Sequence, residues 1–387
     1  MRDSTHEHLL ALMVTRNFPP LVGGMEKLNW HLLAELGPEW RLALCGPAGC
    51  KAFAPGDVLA IRETAIRPLP WFLAVSMIKA VWLALRLRPK LVLAGSGLTA
   101  PVAWLCARLA GARLVTYVHG LDLVVQNRAY QRFWLPFIRA SDLLLANSAH
   151  TAMLARSRGI APARIAVLHP GTGVPSLDPA AAAAFRARHA LADRPLLLSV
   201  GRLTRRKGLA EFVAGALPAI VADHPAALLL VVGDEASDAL HGSTGSERER
   251  ILAAARAAGV ESNLRFLGRC DETTLQAAYQ ASDCHVFPVL ELPGDVEGFG
   301  MVALESAAHG LQTVAFAVGG VPDAIAAGRS GFLIEAGRYT TFADAVLSIL
   351  AQPAPAAAIG ACRDFATAND WDAFGRRLRQ LVRPANG

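Results

Sequence analysis

The apolar positions of the chain fall into short unbroken runs, separated by Ala- and Leu-rich stretches of helical period. "LLALMVT", "RLALCG", "KLVLAG" and "RLVTYVHG" read as strands, and "MEKLNWHLLAEL" and "PVAWLCARLAG" read as helices between them. Unbroken apolar runs, unlike alternating ones, suit parallel strands covered on both faces. The pattern then repeats, with "PLLLSVG", a helix from Leu209, "ALLLVVGD", a helix from about Ser246, "LRFLG", "LQAAYQASD", "CHVFP", "MVALESAAHG" and "TVAFAVGG". It predicts an α/β protein of two doubly wound, Rossmann-like domains facing a cleft at the carboxyl ends of their strands.

A length of 387 residues exceeds what one core usually serves. Pro and Gly cluster between "VLHPGTGVPSLDP" and "RPLLLSVG", which places the domains at 1–176 and 177–365, with Ala-rich "PAAAAAFRARHAL" as a short helix opening the second. Charge changes sign at the same seam. Residues 1–176 carry 19 Lys and Arg against 9 Asp and Glu, or +10, and the remainder carries 19 against 23, or −4. A basic half predicts an anionic surface or substrate on that side. Four tyrosines and no recognition motif argue against nucleic acid, and leave an anionic membrane as the expected surface.

The six cysteines form no C-x-x-C pair and have no histidine at zinc-ligand spacing, so they are expected to be reduced and no metal site is expected. Met1 to Asn17 begins too polar for a secretory signal. The expected location is therefore cytoplasmic, with peripheral contact to the inner face of the membrane.

The longest apolar stretch, "WFLAVSMIKAVWLALRLR" from Trp71 to Arg88, is interrupted by Lys79 and is short for a bilayer span. Ser76, Lys79 and Arg86 share one helical face, with Trp71, Trp82 and the leucines on the others. That suits a helix lying in a membrane interface, or a buried domain helix whose lysine reaches outward.

Four groups follow predicted strands. In "PPLVGGME", Gly23 and Gly24 let backbone approach a ligand, and the helix from about Met25 offers free N–H groups to a phosphate; a plain strand-to-helix turn reads the same way. In "VGRLTRRKG", the cations Arg202, Arg205, Arg206 and Lys207 suit a diphosphate, with a solvated charge run as the alternative. In "EGFGMVALE", Gly298 and Gly300 keep Glu297 in a loop, the helix starts near Met301, and Glu305 lies in its first turns. The two acids, with helix N–H groups between them, suit the two sugars that flank a diphosphate in a nucleotide sugar. His119 ends the strand of "TYVHGLD", at the same strand ends, although an isolated histidine is more often a hydrogen-bonded structural residue.

"GGME", "YVHG", "VGRLTRRKG" and "EGFGMVALESAAHGLQTVAFAVGG", in that order over nearly the whole chain, resemble the retaining glycosyltransferases of family 4, which have the GT-B fold. The resemblance implies that Arg202 and Lys207 clamp the donor diphosphate and that Gly23 and Gly24 lie near donor and acceptor. It puts Glu297 on the transferred sugar, Glu305 on the ribose, and Gly298, Phe299, Gly300 and Met301 along the donor, with His119 near the reacting centre. It implies no metal and no cofactor beyond the nucleotide-sugar co-substrate, and front-face attack in which a donor phosphate oxygen takes the acceptor proton. A closing helix within 366–387, "DWDAFGRRLRQLVR", is expected to cross back to the first domain. "LPGDVEGFGMVALE" is similar to mannosyltransferases that use GDP-mannose on lipid-linked acceptors; "LHPGTG" departs from a pattern that often has Asn before Gly.

Three rival readings remain at this level. "GSGLTA", Gly95 to Ala100, matches a dinucleotide-binding loop but is preceded by at least two strands. A sugar-nucleotide epimerase or phosphorylase would use the same fold and much of the same phosphate site, and a non-catalytic membrane-associated protein would need only the surface.

Overall fold

The computed structural model describes residues 9–235, 246–351 and 354–383, so residues 1–8 of the polar start lie outside the described part. Two compact units divide the chain: residues 1–171 with 371–387, and residues 172–370.

The first unit is built on a seven-stranded parallel sheet of β1 (Leu9–Val14), β2 (Trp40–Pro47), β3 (Val58–Thr64), β4 (Leu91–Ala94), β5 (Arg113–Val118), β6 (Leu143–Ala146) and β7 (Ile165–Val167). Their spatial order is β3-β2-β1-β4-β5-β6-β7. The order reverses direction beside β1, and in such sheets that switch point is where ligands gather. The helix Trp371–Val382 belongs to this unit, as the first domain's closing element. Trp371 stacks on His31 with ring centroids 3.7 Å apart, Leu378 is fully buried, and Arg379 forms ion pairs with Glu35 and Glu39.

The second unit has six parallel strands, β8 (Leu196–Val200), β9 (Leu228–Val232), β10 (Leu264–Gly268), β11 (Cys284–Phe287), β12 (Thr313–Phe316) and β13 (Gly331–Ile334), ordered β10-β9-β8-β11-β12-β13. Its strands show why the runs are unbroken. Leu197, Leu229 and Val231 enter one core cluster, while their neighbours Leu196, Leu198, Leu228 and Leu230 enter the cluster on the opposite face. Both faces are covered, so both side-chain phases are apolar.

One expectation is corrected. Over the helix Leu69–Leu87, Ser76 is buried and the Lys79 ammonium donates to the Glu63 carbonyl, so these two are turned into the protein while Arg86 stays exposed. The outward face is largely apolar, with Trp71, Ile78, Trp82 and Leu85 exposed at 57, 71, 45 and 54% and Arg86 beside Trp82. The inward face, Phe72, Ala80, Leu83 and Ala84, is equally apolar, so periodicity could not orient the helix; the carbonyl that receives Lys79 comes from the preceding strand, β3. Only 28% of the apolar window is buried, and this is the one described helix long and apolar enough to cross a membrane by length and composition.

The six cysteines are free thiols.

Candidate active site

The second unit gathers its charge at the carboxyl end of β8. Gly201 leaves the strand at φ 140°, and Arg205–Lys207 form a single tight helical turn closed by Gly208 at φ 67°. A side chain at Gly208 would overlap the Pro288 carbonyl, and Leu290 N–H donates to the Arg206 carbonyl at 2.8 Å, so this loop is pinned against the segment after β11. Lys207 is thereby laid over the face of Phe287, its nitrogen 4.6 Å from the ring centroid.

Glu297 closes the cluster. Its Oε2 accepts from the Lys207 ammonium at 2.8 Å and from Nη1 of Arg206, and Arg206 Nε also pairs with Asp295 Oδ1 at 3.0 Å. Glu297, Lys207 and Arg206 are 13, 16 and 14% exposed, whereas Asp295 is 44% exposed. Burial alone would push the Glu297 carboxyl up, yet Lys207, Arg206, the hydrogen bond from Lys207 and the charge of Arg202 outweigh it and hold the group at about 2. The Lys207 ammonium is also lowered, which for a cation disfavours the charged form. Burial depresses it, Glu297 only partly offsets this, and Arg206 and Arg202 depress it further. Arg202 itself is exposed. Three cations, Lys207, Arg206 and Arg202, thus stand against two carboxylates, Glu297 and Asp295, leaving one positive charge in excess.

The loop that carries Glu297 is held from behind by a second glycine pair. Gly320 N–H donates to the Glu297 carbonyl at 2.9 Å, and a side chain at Gly320 would overlap the Gly298 carbonyl. Gly300, at φ 98°, then turns the chain into the helix Met301–Ala308, and a Cβ there would stand 2.9 Å from the Phe287 ring. Phe287 therefore lies under both the lysine and the helix start. Gly298 is buried beside them. Phe299 is only 3% exposed and packs in the core, so its ring anchors the loop and does not face a ligand. Glu305 lies in the second turn of the helix and bears on Tyr279, whose phenol is raised by burial first and by Glu305 next.

In the first unit, Gly23 directly precedes the helix Gly24–Ala34. Its backbone is extended, and the constraint is room: a Cβ would collide with the Glu26 carboxylate, which accepts from Asn17 Nδ2 at 2.7 Å. His119 follows β5; its backbone N–H donates to Asp122 at 2.9 Å and its Nε2 lies 3.1 Å from the Gly95 carbonyl. A carbonyl only accepts, so Nε2 carries the proton and Nδ1 is left as the second ring nitrogen. Gly95 opens "GSGLTA", and a Cβ there would stand 2.6 Å from the Thr15 hydroxyl and 2.7 Å from Asn29. That glycine serves the packing of β4 against β1 and the seating of His119.

Sequence reasoning overlooked the roles of Asp295, Phe287, Gly320, Arg16 and Gly319, where at φ 58° a Cβ would stand 2.6 Å from the Glu297 carbonyl oxygen. The repeated "GG" after β12 was the available signal for two of them. Arg16, just after β1, is depressed by burial and then by Arg67, against an opposing effect of Glu26, and its Nε is buried without a hydrogen-bond partner. Nothing in the pattern marks it.

The sequence family described as Glycosyltransferase Family 4 matches residues 22–173, and that described as Glycosyl transferases group 1 matches residues 182–363. D-inositol 3-phosphate glycosyltransferase 1 of Catenulispora acidiphila is 30% identical, with 74% of this chain and 70% of that protein aligned. The chain is a family 4 glycosyltransferase. The GDP-mannose-dependent alpha-(1-6)-phosphatidylinositol monomannoside mannosyltransferase of Mycobacterium tuberculosis is 28% identical to this glycosyltransferase over 96% of the present chain and 98% of its own. Among solved structures, Anabaena HepE with UDP and glucose superposes with a TM-score of 0.79 over 97% of this chain and 99% of that one at 18% identity, a likeness of fold. The GT-B fold and the transferase class are established on these grounds, and the dinucleotide oxidoreductase reading of "GSGLTA" is set aside.

Proposed function

We propose that this glycosyltransferase moves a hexose, with retention, from a nucleoside-diphosphate sugar to a lipid-linked or saccharide acceptor, and that mannose from GDP-mannose is the donor. The observation that carries the reading is the Lys207–Glu297–Arg206 cluster at the carboxyl end of β8, where Glu297 and Asp295 offset Lys207 and Arg206 and the exposed Arg202 is left in excess. Lys207 and Arg202 take the charge of the leaving diphosphate, together with the N–H groups that open the helix Met301–Ala308. This division of labour requires no metal ion. Glu297 holds hydroxyls of the transferred sugar and Glu305 those of the ribose, and His119 orients the reacting groups. The mannose choice draws on the relatives named for GDP-mannose.

An acceptor bearing phosphate agrees with Arg16, after β1, and Arg67, after β3, which lie close enough for Arg67 to depress Arg16. A membrane site of action agrees with the outward face of the helix Leu69–Leu87. Beside its exposed Trp71, Ile78 and Leu85, Trp82 borders a cavity of about 550 Å³ lined also by Lys51, Arg62 and Arg86. The Arg62 guanidinium lies 4.5 Å from the Trp82 ring centroid. Apolar side chains ringed by cations suit the interface of an anionic bilayer, at the cytoplasmic face on the reading of the sequence.

The test is transfer of labelled mannose from GDP-mannose to phosphatidylinositol-type and polyprenyl-diphosphate acceptors in anionic vesicles, with UDP-glucose in parallel. Mannosyl product supports the full reading. Product from UDP-glucose alone keeps the transferase but refutes the donor.

A further inference from the structure

Glu297 and the donor's diphosphate need the same cations. The carboxylate occupies the Lys207 ammonium at 2.8 Å and shares Arg206 with Asp295, so it sits where a diphosphate oxygen would find its partners. We infer that Glu297 is an internal counter-anion that makes the site select the sugar-bearing donor over the spent nucleoside diphosphate. The inference rests on the donor-site reading given above.

A bare nucleoside diphosphate that takes over Lys207 strands a buried carboxylate beside a second anion, and both effects oppose binding. A nucleotide sugar brings hydroxyl groups, and these replace the hydrogen bonds that Glu297 gives up. Donor and carboxylate are then both satisfied. Once the sugar has been transferred those hydroxyls leave, Glu297 again competes for Lys207 and Arg206, and the diphosphate is expelled. Asp295 belongs to the same balance: its pairing with Arg206 lowers the charge left over for the diphosphate, less strongly because it is more exposed.

Replacing Glu297 by an uncharged group of the same shape should therefore tighten product binding, the reverse of what a simple ligand contact would do. Calorimetry on the full-length protein with GDP, GDP-mannose, UDP and UDP-glucose reads this directly. In Glu297→Gln the dissociation constant of the bound nucleoside diphosphate should fall by about tenfold or more, as expected when one charge is removed at close range. Its ratio to that of the corresponding nucleotide sugar should collapse, and product inhibition of transfer should strengthen. Asp295→Asn should tighten the same diphosphate by a smaller factor, and it carries the test if Glu297→Gln does not fold. Unchanged or weaker diphosphate binding in the folded variants, with normal binding by the parent, overturns the counter-anion role and leaves the donor site standing. Failure of the parent and the variants to bind any of the four nucleotides overturns the donor-site reading, and this inference with it.

Discussion

At Glu297 the carboxyl titrates at about 2 in the folded protein, below the ordinary value of 4.5. The folded state therefore holds the charged form more tightly than the unfolded chain does. The contribution is fully present above pH 4.5 and is lost as pH falls toward about 2, on the order of 3 kcal/mol in all. In urea titrations, the stability advantage of the parent over Glu297→Gln should shrink across that window and be constant above it; an advantage that does not vary with pH contradicts the ion-pair geometry. The same variant should lose about a hundredfold in turnover while folded, as loss of a group that positions the reacting sugar can cost, and parental turnover in an acceptor assay would remove Glu297 from the chemistry. The site's charges were largely legible in sequence, since "RRKG" and "EGFG" each follow a strand. What was not legible is that Arg206 and Lys207 meet the same carboxylate. That contact joins loops 90 residues apart (297 minus 207) and is set by the register of β8 beside β11.

Among the elements, the strands were readable because burial on both faces makes them uniformly apolar, and "LLLSV" and "LLLVV" became β8 and β9. The helix Leu69–Leu87 was readable as a helix but not in its facing, because apolar residues line it inside and out. The loop before the helix Met301–Ala308 depends on an element that the pattern marks only as glycines. A methyl group at Gly320 meets the Gly298 carbonyl, and one at Gly208, at φ 67°, meets the Pro288 carbonyl. Gly320→Ala and Gly208→Ala should each cost about 1–3 kcal/mol or more of stability, with donor affinity falling further than stability alone explains. Denaturant midpoints and donor binding measured together decide it. Parental values in both would show that these backbones are not in forced contact.

On the scale of the whole molecule, the two units carry different surfaces. The first holds the excess of basic residues and the outward apolar helix face, and the second holds the buried charge cluster. Ile78→Asp with Trp82→Glu should reduce sedimentation with anionic vesicles several-fold while leaving binding of soluble GDP-mannose intact, because neither side chain is in the donor machinery. Unaltered vesicle binding would move the membrane surface elsewhere. The doubly wound order of both sheets followed from alternating strands and helices. The return of Trp371–Val382 to the first unit came only from family likeness, since its buried Trp371, Phe374 and Leu378 mark an amphipathic helix but not its destination.

The most direct test of the central claim is the thermal shift produced by GDP-mannose, GDP, UDP-glucose, UDP and NAD in the parent protein and in Lys207→Ala, since a ligand that binds only the folded state raises its melting temperature. The parent should be stabilised by one nucleotide-sugar family and not by NAD, and the shift should be largely lost in Lys207→Ala. Equal stabilisation of parent and variant, or stabilisation by NAD alone, would contradict the claim.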